Sequence, residues 1–306
     1  MDDSKKTFIE IMPMDRNKSV LESIKAKDSD NYCHYTAVEN AQNILNGKYL
    51  YISSMEKMND IDEVKKHASN CEKTFIFSMC NSTTENIPMW YLYSGILGSG
   101  VRIRFTKTTM LNFLESIDKI YPVENDSVVS STPLLKNDDF DIAFDWVCYV
   151  DDINKKIKHR NKFYKTILDI NDRINYFDDY FIKKYPWNYE NEFRIVIHNK
   201  NKTNYKRLAI PIDESIIKNL RIMFAPELNI DKKLYTQIKQ KFIDLGIKEK
   251  NIETSKLNIR MNLLNRNKVN IVDSMESWCD NQNYRRVCSY IQKNYMSWQI
   301  KKEEAV

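Results

Sequence analysis

The stretch Tyr32-Cys33-His34-Tyr35-Thr36-Ala37-Val38-Glu39-Asn40-Ala41-Gln42-Asn43-Ile44-Leu45-Asn46-Gly47-Lys48-Tyr49-Leu50-Tyr51-Ile52-Ser53 decides the fold. Its first five residues are an aromatic and β-branched run, the composition of a strand. Thr36 is a plausible N-cap, and Val38, Ala41, Ile44 and Leu45 then fall at helical spacing. Gly47 ends that helix, and Tyr49-Leu50-Tyr51-Ile52-Ser53 reads as the next strand. Strand, short helix, turn and strand in quick succession predict an α+β domain.

The pattern continues outward from this unit. Phe75–Cys80 reads as a short buried strand, and Pro88–Tyr93 as one or two helical turns. Val101-Arg102-Ile103-Arg104-Phe105 alternates apolar and basic residues, the period-two signature of a half-buried strand. Met110 to Ile120 predicts a helix, Trp146–Val150 a strand, and residues 153–184 a long helical region laced with Lys and Asp. The segment from Tyr185 to Ile197 begins as a loop and ends as a clear strand. Strands at Arg207–Pro211 and Arg221–Phe224 follow, then a helix at Lys232–Leu245 closed by Gly246. A helical tail is expected from Gln282 to Lys301. This organisation divides the chain into residues 1–30, a short helix or mobile arm; residues 31–260, the main domain, with a charged elaboration at about 118–184; and residues 261–306, a helical extension.

Composition narrows the function. The chain has 306 residues, 42% hydrophobic and 12% aromatic, enough for a packed core. No stretch approaches the roughly 18 apolar residues of a membrane span. The N-terminus, Met1-Asp2-Asp3-Ser4-Lys5-Lys6, lacks a signal-peptide layout, so a cytoplasmic location is expected. With only 5 glycines, clustered at most as Gly95, Gly98 and Gly100, the sequence excludes the glycine-rich turns of P-loop and classical dinucleotide-binding folds. Six cysteines without a C-x-x-C pair and four scattered histidines give no reason to expect a metal site.

The net charge of +5 is unevenly spread. An acidic stretch from Asp118 to Asp152 is followed by Lys155, Lys156, Lys158, Arg160, Lys162 and Lys165. Further basic groups are Lys200, Lys202, Lys206 and Arg207, then Lys256, Arg260, Arg266 and Lys268. Phe163, Tyr164 and Tyr205 interleave these runs, as on a single-stranded nucleic-acid surface. A solvated face of a Lys-rich protein has the same appearance.

Three blocks carry the chemistry. The first is Tyr32-Cys33-His34-Tyr35-Thr36 with its continuation Ala41-x-x-Ile44-Leu45-x-x-Gly47 and Leu50-x-x-Ser53, followed by Asn59-Asp60. The second is Phe75–Cys80, then Met89-Trp90-Tyr91-Leu92-Tyr93, then Gly100-Val101-Arg102-Ile103-Arg104-Phe105. The third is Trp187-Asn188-Tyr189-Glu190-Asn191-Glu192-Phe193-Arg194. In this order the blocks resemble the ADP-ribosyltransferase superfamily, through a bacterial family of uncharacterised domains that is similar to it. Ile61 departs from that pattern, standing where a proline is usual after Asn-Asp.

The resemblance implies an ADP-ribosyltransferase-like split β-sheet core with flanking and inserted helices, and NAD⁺ as substrate. Breaking the nicotinamide–ribose bond passes through an oxocarbenium-like transition state, which needs a carboxylate near the ribose. Carried over by motif, Glu192 is the candidate catalytic carboxylate, with Glu190 beside it to position the acceptor or to take the main role itself. On an extended chain Glu190, Glu192 and Arg194 would share one side. His34, with Tyr35 and Thr36 beside it, is the candidate ribose contact. Tyr51 and Ser53 lie on the strand expected near nicotinamide. Trp90, Tyr93 and Arg194 complete the candidate cofactor-binding set. Each has a plainer reading: a hydrogen-bonded strand histidine for His34, a surface ladder or buried structural ion pair for the Glu/Arg triplet, core packing for Trp90, Tyr93, Trp187 and Tyr189, and a loop cap for Asn59-Asp60.

The implied function is an NAD⁺-dependent ADP-ribosyltransferase toxin of a toxin–antitoxin or anti-phage defence system. Its expected acceptor is RNA or single-stranded DNA, and its expected partner a protein antitoxin or inhibitor, with no membrane. Transfer to protein, NAD⁺ hydrolysis, and a non-catalytic nucleotide- or RNA-binding module on the same fold are the alternatives.

Overall fold

The computed structural model describes residues 12–26, 31–94, 100–124, 128–150, 178–201, 205–229 and 232–257. The chain divides into two compact units at 259/260, and every described residue lies in the first. The expected tail from Gln282 to Lys301 and most of the expected 153–184 helix lie outside the described residues.

Helix α1 (Met12–Ala26) is the helical alternative of the two readings made for the first 30 residues. Val20 and Ile24 are buried in the main core, and the side chain of Asn17 completes a sheet edge. Its Nδ2 donates to the Ile142 carbonyl at 2.8 Å, and its Oδ1 accepts from the Phe144 amide at 3.2 Å. Strand β1 (Asn31–Ala37), helix α2 (Val38–Gly47) and β2 (Tyr49–Ser54) follow as the sequence suggested. Two details differ. Ala37, not Thr36, is the N-cap residue, and Lys48, not Gly47, takes the left-handed turn, with φ 59°. A Cβ at Gly47 would sit 2.7 Å from the Tyr51 hydroxyl, so a larger residue there requires that side chain to shift.

Helix α3 (Ile61–Lys66) is capped by Asp60, whose carboxylate accepts from the amides of Asp62 and Glu63 at 3.1 and 3.3 Å. Then come β3 (Thr74–Asn81), α4 (Ile87–Tyr93), β4 (Gly100–Thr106) and α5 (Lys107–Glu115). The helix expected to run to Ile120 stops at Glu115, and the acidic stretch beyond it folds into strands. These are β5 (Lys119–Glu124), β6 (Val128–Val129), β7 (Leu134–Leu135), β8 (Phe140–Trp146) and β9 (Cys148–Val150).

After a 3-10 turn at Asp178–Phe181, β10 (Ile182–Lys184) stands where a helix was expected. A second 3-10 turn, Tyr185–Glu190, leads into β11 (Glu192–Asn199). The remaining elements are β12 (Arg207–Pro211), α6 (Glu214–Ile217), β13 (Arg221–Phe224), α7 (Lys232–Asp244) and β14 (Ile252–Glu253).

The domain is α+β, and its sheet is split. Strand β11 runs antiparallel along β3 from Glu192 opposite Cys80 to His198 opposite Thr74, and β8 covers the far side of β11. The other edge of β3 is shared. β1 pairs with its end, Tyr32 opposite Asn81 and Cys33 opposite Cys80, whereas β2 pairs with its beginning, Ser53 opposite Ile76 and Ser54 opposite Phe75. Between them the two strands part. One wing runs β3, β1, β4, β13, β14, and the other β3, β2, β12, β5.

Side-chain alternation separates the two faces of β3 and β11. Phe75, Phe77, Met79, Phe193, Ile195 and Ile197 enter the main core. Ser78, Cys80, Glu192 and Arg194 look the other way. Phe193 is fully buried, with Tyr32 edge-on at 4.9 Å and Trp146 at 5.3 Å between ring centres. Phe193→Ala is expected to cost about 3–5 kcal/mol of stability, read as a lower urea midpoint with an unchanged slope.

Candidate active site: a buried ion-pair network beside the split

The strand β11 begins immediately after Asn191, which adopts the left-handed conformation with φ 40°. Asparagine tolerates that region better than most residues. The kink has a consequence for the Glu-x-Glu motif. Glu190 belongs to the 3-10 turn rather than to the strand, so extended-chain alternation does not bring it to Glu192. Lys183 on β10 does. Its Nζ donates to Glu190 Oε2 at 2.5 Å and to Glu192 Oε2 at 3.4 Å.

Arg194 occupies the position that alternation predicted, with Nε donating to Glu192 Oε1 at 2.6 Å. Its far side holds Glu63 of α3: Nη2 donates to Oε2 at 3.1 Å, and Nη1 bonds Oε1. Nη1 also donates to the Tyr180 carbonyl at 2.6 Å. At the opposite end of the chain of charges, the Tyr93 hydroxyl of α4 donates to Glu190 Oε1 at 2.5 Å. Three carboxylates thus meet two cations, and Arg194 and Glu192 are 0% and 3% exposed.

The network drives its two central carboxylates apart. Burial works to raise Glu192, but Arg194 and Lys183 outweigh it and hold the carboxyl down at about 2, with help from a Ser78 hydrogen bond. Glu190 is raised, first by burial and then by the charge of Glu192, against the pull of Lys183. The signs matter for stability. Ionised Glu192 stabilises the fold above its ordinary value of 4.5, and that contribution is lost as pH falls toward about 2. Glu190 acts oppositely, its ionisation costing stability as pH rises through a value above 4.5. Tyr93 is pushed well upward by burial and by Glu190, so it remains a hydrogen-bond donor.

Ser78 is where the sheet opens. It lies between the last β1 partner on β3, Cys80, and the first β2 partner, Ile76. Its side chain bonds Glu192, while its carbonyl meets His34 Nδ1 at 3.2 Å. A carbonyl only accepts, so His34 carries its proton on Nδ1 and presents Nε2 as an acceptor. Burial lowers the imidazole to about 4, which keeps it neutral near pH 7.

The remaining sequence candidates separate by face. His34 turns to the core side, its ring 4.6 Å from Phe77, and Thr36, two residues on, shares that face, accepting from Asn40 at 3.3 Å. Tyr35 lies on the face of Glu192, edge-on to Trp90 at 4.8 Å, its hydroxyl accepting from the Asn86 amide. Trp90 is buried, with its indole N–H donating to Glu85 at 3.2 Å. Ser53 and Tyr51 are on β2, the far wing of the split, where Tyr51 underlies Arg207 at 5.6 Å. The strand lying between the His34 strand and the Glu192 strand is β3, and Ser78 of β3 contacts both.

Sequence reasoning missed Lys183, Glu63 and Ser78. Lys183 was hidden in a Lys/Asp-laced stretch, and Ser78 in an apolar strand. Glu63 alone had a signal: the cap at Asp60 fixes the start of α3 and hence the face that carries it. Of the basic groups, Lys200 pairs with Asp141 at 2.9 Å and Lys206 with Glu56 at 2.9 Å, whereas the run from Lys155 to Lys165 lies outside the described residues. Among the described residues no group of His, Cys, Asp and Glu could hold a metal, and no helix is long and apolar enough to cross a membrane.

The profile of a family described as "Protein of unknown function (DUF2971)" matches residues 89–195. That span runs from α4 to the middle of β11 and so contains Tyr93, Lys183, Glu190, Glu192 and Arg194. No curated protein and no solved structure matches the chain.

Removing one partner of a buried ion network leaves its opposite charge stranded. Lys183→Met is therefore expected to destabilise the fold by about 3–5 kcal/mol at pH 7. Adding Glu190→Gln, which removes one of the stranded carboxylates, is expected to restore part of that loss. Urea denaturation of the single and double variants measures the coupling.

Proposed function

We propose that this chain is an NAD⁺-dependent ADP-ribosyltransferase acting on a macromolecule, with RNA or single-stranded DNA as the favoured acceptor. The observation that carries the reading is Ser78: the candidate ribose contact His34 and the candidate carboxylate Glu192 both bind it, one through its carbonyl and one through its hydroxyl, at the place where β1 and β2 part.

The chemistry asked of such a site is stabilisation of positive charge on the ribose as nicotinamide departs. Glu192, held down at about 2, is ionised near pH 7 and fixed in position, which suits an electrostatic role better than proton transfer. Glu190 is the carboxyl with a raised value, and it can hold or accept a proton, as activation of an acceptor hydroxyl or amine requires. Two carboxylates driven apart by their surroundings are a recurring basis for dividing such roles. His34 stands on the other face of the sheet from Glu192, so the two would meet one ribose only across the gap where β1 and β2 part, where neutral His34 would offer Nε2 to a ribose hydroxyl. Membership of a toxin–antitoxin or anti-phage defence system, with a protein antitoxin or inhibitor, extends the same proposal.

One observation favours a second reading. Both oxygens of Glu192 are already engaged, Oε1 by Arg194 and Oε2 by Lys183. A carboxylate so satisfied could serve folding alone, leaving a nucleotide- or RNA-binding module without turnover.

The test is nicotinamide release from NAD⁺ by the full chain, with label followed into RNA, single-stranded DNA and protein. Glu192→Gln keeps the shape of the side chain and is expected to lower turnover roughly 10²–10³-fold, the worth of one preorganised electrostatic group. His34→Ala is expected to weaken NAD⁺ binding. Label in one fraction names the acceptor, and nicotinamide release without label means water is the acceptor. No release from a folded wild-type chain with any acceptor would leave the binding module.

A further inference from the structure

The strand β4 carries a second constellation that the reading above does not use. Arg102 and Arg104 alternate with apolar residues, and such a strand would ordinarily send its basic side chains to solvent. Instead Arg102 is 2% exposed and Arg104 13%. With Arg221 on the neighbouring β13, directly opposite Arg104, they converge on a single carboxylate, Glu253 of β14. Arg104 Nη2 bonds Glu253 Oε1, Arg221 Nη1 approaches the same oxygen at 3.3 Å, and Arg102 Nη2 stands 3.9 Å from Oε2.

The carboxylate does not satisfy this cluster. Among the described residues, the buried Nε–H groups of Arg102 and Arg104 have no hydrogen-bond partner. Arg102 spends Nη1 on the Thr84 carbonyl at 3.1 Å and also bonds the Tyr35 hydroxyl, and Glu85, the other nearby acid, is itself taken up by Trp90, Ser255 and the Lys256 amide. Crowding shows in Arg104, whose guanidinium is lowered by burial and, against the pull of Glu253, by the like charges of Arg221 and Arg102. A structural pin for β14 needs one arginine. Three of them, with buried donors unspent, suit an anion with more oxygens than a carboxylate has.

We propose that Arg102, Arg104 and Arg221 form a phosphate-binding site, in which Glu253 is a built-in occupant displaced by a phosphate group of the ligand. Guanidinium forks match phosphate oxygens in pairs, and three of them accommodate a pyrophosphate or a polynucleotide backbone. Glu253 suits a displaceable role because β14 is a two-residue edge strand that, among the described residues, pairs with β13 alone. The way in is beside Arg221, which is 46% exposed. This inference stands whether or not NAD⁺ is consumed.

The test is calorimetric titration of the full chain, at low ionic strength, with inorganic pyrophosphate and separately with a short single-stranded RNA. Wild type, Arg221→Gln and Glu253→Gln are compared, each checked for folding by its thermal transition. Pyrophosphate is expected to bind roughly ten-fold more weakly to Arg221→Gln, the worth of one charge-assisted hydrogen bond, and more tightly to Glu253→Gln. RNA affinity following the same order supports the site and assigns it a polynucleotide. RNA affinity indifferent to both substitutions, with pyrophosphate still following, supports a site for small phosphates. Because Arg221 is half exposed, its variant stays interpretable if Glu253→Gln fails to fold. Pyrophosphate binding that is absent in wild type, or unchanged by Arg221→Gln, overturns the proposal.

Discussion

Two buried cations, Lys183 and Arg194, hold in one place three carboxylates that the chain supplies from distant segments. Glu63 comes from a helix positioned by its Asp60 cap, Glu190 from a 3-10 turn, and Glu192 from the first residue of a sheet strand. Tyr93 adds helix α4 and the Tyr180 carbonyl adds the approach to β10. Desolvating so many charges is expensive, and an apolar cluster of the same volume would have been cheaper. What the network supplies is placement. A guanidinium with three ligands at fixed angles leaves Glu192 little freedom, and every element around the split must adopt its position for the charges to cancel. The surplus of one carboxylate over the cations shows in Glu190, which burial and the charge of Glu192 raise.

The split in the sheet follows from the same arrangement. An antiparallel strand offers two edges, and β11 takes one edge of β3 along nearly its whole length. Neither β1 nor β2 can take the whole of the other, so the carbonyl at Ser78 is left to a side chain. A buried carbonyl must find a donor, and His34 supplies it. Burial keeps this histidine neutral, and the bond settles which nitrogen carries the proton. The hydrogen bond that satisfies the opened backbone therefore also determines which atom His34 can offer to a ligand.

The architecture was legible because it rests on local signals. The strand, helix and strand from Tyr32 to Ser53 needed only periodicity, and the basic alternation of β4 declared its strand. The strands of the acidic stretch were missed where pairing across the sheet overrode weak local preference, as in β5, which begins inside the helix expected to reach Ile120. The site was legible only in part. Glu192 and Arg194 are two apart on one strand, so alternation found their contact. Glu190 was placed near them for a reason that the kink at Asn191 removes, and it is Lys183, from another strand, that brings it there. Ser78 joins through tertiary contacts that no spacing encodes, and for Glu63 the Asp60 cap gives the helix face but not the arginine it meets.

Register across the sheet relates the two charged constellations. Arg221 lies opposite Arg104, Arg104 opposite Cys33, Cys33 opposite Cys80, and Cys80 opposite Glu192. Directly paired residues share a face, so this row runs across five strands on one side of the sheet, with the anionic cluster at one end and the arginines at the other. Three strand spacings separate Glu192 from Arg104, about 14 Å. The middle of the row is occupied by two thiols, which burial raises to about 11 in Cys33 and about 12 in Cys80, leaving them uncharged. The separation lets one face hold the Glu192 network and the arginines gathered on Glu253 at once.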